Sequence, residues 1–241
     1  MNIKEKFVQD NVQEKEEKLK NPVNYYVKFS FIITYILLLT TATITFIEAM
    51  RTNVPTVRHV LNLETCISVV AGYFYSVFVE KIEEYGKADI PINWADITKT
   101  RYIDWSITTP LMLLALSLVL SQNSGTTVHM STYLMIVCLN YIMLYVGYAG
   151  ETNVISRFNG MVIGFIAFAA MFFIIYSNFV RPKYSFANNA LYGVYFVVWS
   201  IYGIVYMLNE EYKNISMNIL DFIAKCFIGL GLWAYYTKVL V

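Results

Sequence analysis

Charge is scarce in this chain. Only 15% of its 241 residues are Asp, Glu, Lys or Arg, against roughly 25% in an ordinary globular domain. With 57% hydrophobic residues, a soluble fold would expose large apolar patches, so the composition points to a membrane protein. The net charge of +1 and the lack of a basic stripe exclude nucleic acid as a partner. Cysteine is rare: Cys66, Cys138 and Cys226 are odd in number and lie in or beside apolar runs. That reads as small core residues, not a disulfide framework. Only two histidines occur, His59 and His129, both near the ends of apolar runs and read as surface residues. No zinc-ligand cluster, Walker loop or nucleophile elbow is present, so neither a metal site nor a soluble enzyme is expected. There is no repeat of solenoid period. An aromatic content of 17% excludes disorder.

What is abundant is apolar length. A bilayer-spanning helix takes about 20 mostly apolar residues, so the chain accommodates about seven spans and leaves little for a separate soluble domain. Seven apolar stretches can be read off, at 24–50, 60–85, 99–121, 129–150, 157–180, 186–208 and 214–237. Turn signals separate them, among them Asn53-Val54-Pro55, Ala88-Asp89-Ile90-Pro91, Asn123-Ser124-Gly125 and Arg181-Pro182-Lys183. The expected fold is an all-α membrane protein, a seven-transmembrane-helix bundle whose short loops make consecutive helices antiparallel neighbours. Residues 21–241 form this domain. Residues 1–20 are rich in Lys, Glu and Gln with no long apolar run, so they are not a secretory signal. Ile3, Phe7, Val8 and Val12 share one helical face, which fits either an amphipathic surface helix or a solvated tail.

Loop Lys and Arg counts are similar on the two sides and do not orient the bundle. The acidic residues after the second, fourth and sixth stretches, such as Glu80, Glu83, Glu84, Glu151, Glu210 and Glu211, suggest an external N-terminus and a cytoplasmic C-terminus.

Ionisable residues at mid-bilayer cost at least about 2.5–3.5 kcal/mol each, so each is a functional candidate. Four stand out: Arg101, Asp104, Asp221 and Lys225. Asp221 and Lys225 are spaced i, i+4, one turn apart on one face. Arg101, Asp104, Trp105 and Thr108 follow i, i+3, i+4, i+7, again one face. Two acids and two bases can therefore meet inside the bundle. A structural ion network is one account of them. The other is chemical: a buried lysine readily becomes a nucleophile toward a carbonyl, and a protonated Schiff base there would need Asp104 and Asp221 as counterions.

The surrounding segments carry a resemblance. Arg101-Tyr102-Ile103-Asp104-Trp105-Ser106-Ile107-Thr108-Thr109-Pro110-Leu111 resembles the third-helix signature of microbial rhodopsins. Leu220-Asp221-Phe222-Ile223-Ala224-Lys225 resembles their seventh-helix retinal-binding sequence. Trp199-Ser200-Ile201-Tyr202 resembles the sixth-helix aromatic segment, and Met143 with Gly147 the fourth-helix pocket pair. The resemblance extends over all seven helices and is greatest to the rhodopsins of large viruses that infect protists.

It implies a bundle around a retinal pocket, with all-trans retinal held on Lys225 as a protonated Schiff base. It implies that Asp104 is the primary counterion and proton acceptor, that Asp221 is the second counterion, that Arg101 compensates them and that Thr108 hydrogen-bonds Asp104. Tyr202 and Tyr75 would donate to Asp221, although core packing is the alternative for each. Trp105, Thr109, Met112, Met143, Gly147, Trp199, Tyr202 and Tyr206 would wall the pocket, with Gly164 and Phe168 at its ring end. Gly203 stands where many relatives have proline, and Tyr206 where many have tryptophan.

The resemblance points to a light-driven outward proton pump. The acid that reprotonates the Schiff base in such pumps would stand eleven residues after Asp104, where this chain has Ala115. Glu64 is the candidate replacement, since a carboxyl in apolar surroundings keeps its proton. The alternative is a solvated Glu64 at the helix entrance. Glu48 could accompany it. On the release side Glu211 matches one acid of an external pair, but the partner position is Lys213. A light-gated cation channel is the alternative function, and a sensory photoreceptor a third. Channel relatives carry a row of glutamates on the second helix and a Cys–Asp pair, whereas this chain has Ala71 seven residues after Glu64, and Thr109 with Asn140. A retinal-free bundle, with Lys225 as a plain salt-bridge partner, is the reading outside this class. Protons, lipid and further copies of the chain, as a trimer or pentamer, are the implied partners.

Overall fold

The computed structural model describes residues 22–88 and 90–238. The expected surface helix within residues 1–20 and the turn position Asp89 lie outside the described residues. Among the described residues seven helices follow in order: α1 (Pro22–Arg51), α2 (Pro55–Lys87), α3 (Trp94–Ser124), α4 (Met130–Glu151), α5 (Arg157–Val180), α6 (Phe186–Val205) and α7 (Glu210–Thr237). Each apolar stretch of the sequence lies largely within one helix. This is the form lipid demands, because a backbone with no water around it must bond to itself. All except α6 are long and apolar enough to cross a bilayer. The 20 residues of α6 (Phe186–Val205) still reach about 30 Å at 1.5 Å per residue, the thickness of a hydrocarbon core. Its paired Asn188 and Asn189 dilute the apolar run.

Local chemistry sets the helix ends. Pro55 opens α2, where its missing N–H costs nothing. Asn93 caps α3 by accepting from the Asp96 amide at 3.2 Å, and Ser156 caps α5 by accepting from the Asn159 amide at 3.1 Å. Gly125 ends α3 at φ +71°, a left-handed position that glycine takes without strain. Pro110 interrupts the α3 ladder and frees the Ser106 carbonyl. The Tyr141 hydroxyl of α4 donates to that carbonyl at 3.0 Å, and Tyr133 donates to the Pro110 carbonyl at 3.1 Å.

One apolar cluster joins α3, α5, α6 and α7 around Trp105, Met112, Leu116, Phe168, Phe172 and Trp199. A second joins α1, α2 and α7 around Phe31, Tyr75, Phe78 and Cys226. Many large apolar side chains point outward, including Phe46, Tyr145, Ile166, Phe173 and Phe227, which suits acyl chains as the surroundings. The cysteines need a correction: only Cys226 is a core residue, while Cys66 and Cys138 face outward. In α7, residues Phe222–Phe227 form a π-helical turn containing Lys225. Such insertions re-aim side chains and are frequent at functional sites.

Candidate functional site

At mid-bundle α3 and α7 face each other, and their four ionisable side chains meet. Lys225 Nζ lies 2.8 Å from Asp104 Oδ2 and 3.4 Å from Asp221 Oδ2. Arg101 Nη1 lies 3.6 Å from Asp221 Oδ2. All four residues are at most 2% exposed. Two cations facing two carboxylates give a neutral set, the condition for keeping charges out of water.

The two carboxylates differ in their partners. Asp221 accepts from Tyr202 at 2.6 Å, from Tyr75 at 2.8 Å and from Trp105 Nε1 at 3.3 Å. Asp104 accepts from Lys225 alone among the described residues, and its Oδ1 has no partner. The Thr108 hydroxyl donates to the Asp104 backbone carbonyl at 2.9 Å, not to its carboxylate. That corrects the expected pairing: one turn on from Asp104, the hydroxyl reaches the i−4 carbonyl first. Asp104 is thus held by the lysine alone, whereas Asp221 has three neutral donors in addition to Lys225 and Arg101.

Arg101 is turned into the bundle. Nη2 donates to Asn218 Oδ1 at 2.8 Å and to Asn214 Oδ1 at 3.0 Å. The rings of Phe78 and Phe31 lie 5.1 and 5.4 Å from its Cζ, within cation–π range. Neither asparagine was among the expected site residues. Their spacing to Asp221, i−3 and i−7, places them on its face of α7 and could have flagged them.

An apolar cavity opens from Lys225 toward α4 and α5. Of the expected wall residues, Trp105, Thr109, Met112, Met143, Gly147, Trp199, Tyr202 and Tyr206 all line it, as do Gly164, Phe168 and Gly203. Tyr102, Met161, Phe165 and Met217 also line it and were missed. Tyr75 does not; it reaches Asp221 from the α2 side. Close packing restricts the wall at Gly147, where a Cβ would stand 2.8 Å from the Tyr102 hydroxyl. Asn140 Nδ2 donates to Thr109 Oγ1 at 2.8 Å. A slot of aromatic and thioether walls with one amine at its end fits an elongated apolar molecule bearing a carbonyl.

Toward the end of the bundle where α1 finishes, Glu64 is 2% exposed, with no ion-pair partner among the described residues. It lies against α7 at Gly229, where a Cβ would come within 3.0 Å of Oε2. It is therefore an interior residue, not a solvated one at the helix entrance. Ala115 is buried as well. Glu48 lies 3.9 Å from Arg51. At the opposite end Lys213 is buried between Glu151, at 2.9 Å, and Glu210, at 2.8 Å, and Arg157 lies 2.9 Å from Glu151. The acid that meets Lys213 on α7 is Glu210, not Glu211.

The bacteriorhodopsin-like protein family matches residues 26–239, nearly the whole described chain. The chain belongs to that family. Among solved structures, the viral rhodopsin OLPVRII is 43% identical, with a TM-score of 0.81 over 88% of this chain and 98% of that one. The bacteriorhodopsin of Halobacterium salinarum is 29% identical over 76% of this chain and 68% of its own length. The green-light absorbing proteorhodopsin of Gamma-proteobacterium EBAC31A08 is 26% identical over 58% of this chain, a match spanning 62% of that protein. Membership in the bacteriorhodopsin-like family makes the chain a multi-pass membrane protein of the rhodopsin type, not a conventional enzyme.

Proposed function

We propose that this rhodopsin is a light-driven pump carrying protons outward, with all-trans retinal attached to Lys225. The observation that carries the reading is the amine of Lys225, placed at the end of an apolar cavity and 2.8 Å from Asp104. Retinal, bound there as a protonated Schiff base, would supply light absorption, a change of shape and the transferable proton on the Lys225 nitrogen. The chain's own groups then give that proton a direction.

Asp104 Oδ2 receives it, being the nearest carboxylate oxygen. Asp221 is the carboxylate that stays charged, because Tyr202, Tyr75 and Trp105 all donate to it. Trp105 and Trp199 flank the cavity and hold its contents flat, and the apolar walls keep bulk water from shorting the transfer. Glu64 returns a proton to the Lys225 nitrogen from the other side. A lone buried carboxyl with no cation beside it is held as the neutral acid, the form a donor must have. In this reading the α1 start faces outside and the α7 end faces the cytoplasm. The working unit is the single seven-helix domain from residue 21 onward, assembled with further copies in the membrane.

The row of glutamates that channel relatives carry on this helix is not continued here, since the residue two turns from Glu64 is the buried Ala71. The test is illumination of sealed cells or vesicles containing the retinal-bound protein. The pump reading expects acidification of the external side in cells, abolished by a protonophore. Light-driven ion flux that only follows existing gradients would overturn it.

A further inference from the structure

The guanidinium of Arg101 has two sets of acids within the fold that could attract it. One is the pair Asp104 and Asp221. The other is Glu151 and Glu210 at the outer end of α4 and α7. The outer acids are already matched, since Lys213 and Arg157 lie within 2.8–3.4 Å of them. Two acids meet two bases there, leaving no net charge to draw a third cation.

The inner position, by contrast, is built. Asn214 and Asn218 sit four residues apart on one face of α7, and both turn their amide oxygens to Arg101 Nη2. Their amide nitrogens are tethered elsewhere. Asn218 Nδ2 donates to Ser30 Oγ on α1 at 2.8 Å, and Asn214 Nδ2 donates to the Glu210 carbonyl at 2.8 Å. Neither amide can therefore flip to present a donor to the arginine without losing a bond. Phe31 and Phe78 close the remaining sides.

We propose that Asn214 and Asn218 are positioning residues that latch Arg101 inward, so that its charge always counts against Asp104 and Asp221. The proposal rests on the reading of those two acids as counterions of the Lys225 nitrogen. The titratable groups facing the guanidinium are Tyr75 from α2, Tyr102 and Asp104 from its own helix, Tyr202 from α6 and Asp221 from α7, with Lys225 on the far side of the two carboxylates. With the latch closed, two cations balance two carboxylates. With it open and Arg101 turned outward, one cation faces two carboxylates. Asp104 then takes up a proton at higher pH, and the pigment reddens earlier on acidification.

The experiment is a dark pH titration of the visible band of the retinal-bound protein. Asn218→Leu is expected to raise the midpoint of the acid-induced red shift by at least about one pH unit, a tenfold change in proton affinity. Arg101→Gln is expected to raise it further. In the Arg101→Gln background, Asn218→Leu is expected to add nothing, the non-additivity that marks action through one residue. A role in packing alone would leave the two effects additive. If Asn218→Leu forms no pigment, Asn214→Leu is put through the same cycle. An unmoved midpoint in the asparagine variants beside a raised one in Arg101→Gln overturns the latch and leaves the counterion reading standing. An unmoved midpoint in Arg101→Gln overturns both.

Discussion

Replacing Glu64 with glutamine isolates the proton-return step. Its carboxyl sits against Gly229 of α7, one turn beyond Lys225, or about 6 Å along the axis at 1.5 Å per residue. The lysine side chain runs the other way, toward Asp104, so its nitrogen is on the order of 10 Å from the carboxyl. A neutral acid exchanged for a neutral amide changes no charge, and the dark absorption of Glu64→Gln is expected to match wild type. Were Glu64 ionised, the same exchange would remove about 1–2 kcal/mol of interaction with a cation on Lys225, taking an effective dielectric constant of about 20. The band would then move. Kinetics should change instead. A positioned general acid contributes typically 10²–10⁴-fold, so the light-induced state lacking the Lys225 proton is expected to decay at least about 100-fold more slowly in the variant. Flash photolysis reads this directly. Azide, a diffusible proton carrier, should restore the rate. Equal decay in variant and wild type at every pH would refute the donor role and place the return path in bulk solvent.

Four further outcomes are expected. Lys225→Ala should abolish the visible band, since no other lysine among the described residues lines the cavity; a retained band would refute the attachment site. Asp104→Asn should shift absorption to the red and stop net proton transfer, because it removes both the nearest negative charge and the acceptor; unchanged colour and transport would assign both tasks to Asp221. Tyr202→Phe deletes a 2.6 Å bond to a carboxylate, a loss of about 1.5–3 kcal/mol to be read as a lower temperature of thermal bleaching. Gly203→Ala would place a Cβ 2.6 Å from the Phe165 ring, an overpacking of about 1–3 kcal/mol that should push the ring into the cavity, slow pigment formation and move the band.

Much of this was legible in the sequence for simple reasons. Apolar runs broken by Asn, Pro and Gly become helices in lipid because nothing else satisfies the backbone, so the helices lie where the runs do. Charges are costly at that depth, so Arg101, Asp104, Asp221 and Lys225 stand out in the sequence. What periodicity could not supply was direction. In a membrane both the interior and the outer surface of the bundle are apolar, so Cys66 and Cys138 read as core yet face outward. The partners of polar groups depend on which helices meet. The amide pair around Arg101 and the Glu151–Arg157–Glu210–Lys213 quartet join residues up to 117 positions apart, and Thr108 turned to a backbone carbonyl that no pattern of side chains would reveal.

The measurement closest to the central claim is steady photocurrent against voltage in a clamped membrane carrying the retinal-bound protein. A pump built on Lys225, Asp104 and Glu64 is expected to give outward current of one sign across the accessible potentials, carried without any ion gradient. A current that reverses sign near the equilibrium potential of a permeant ion would contradict that account and make the protein a channel.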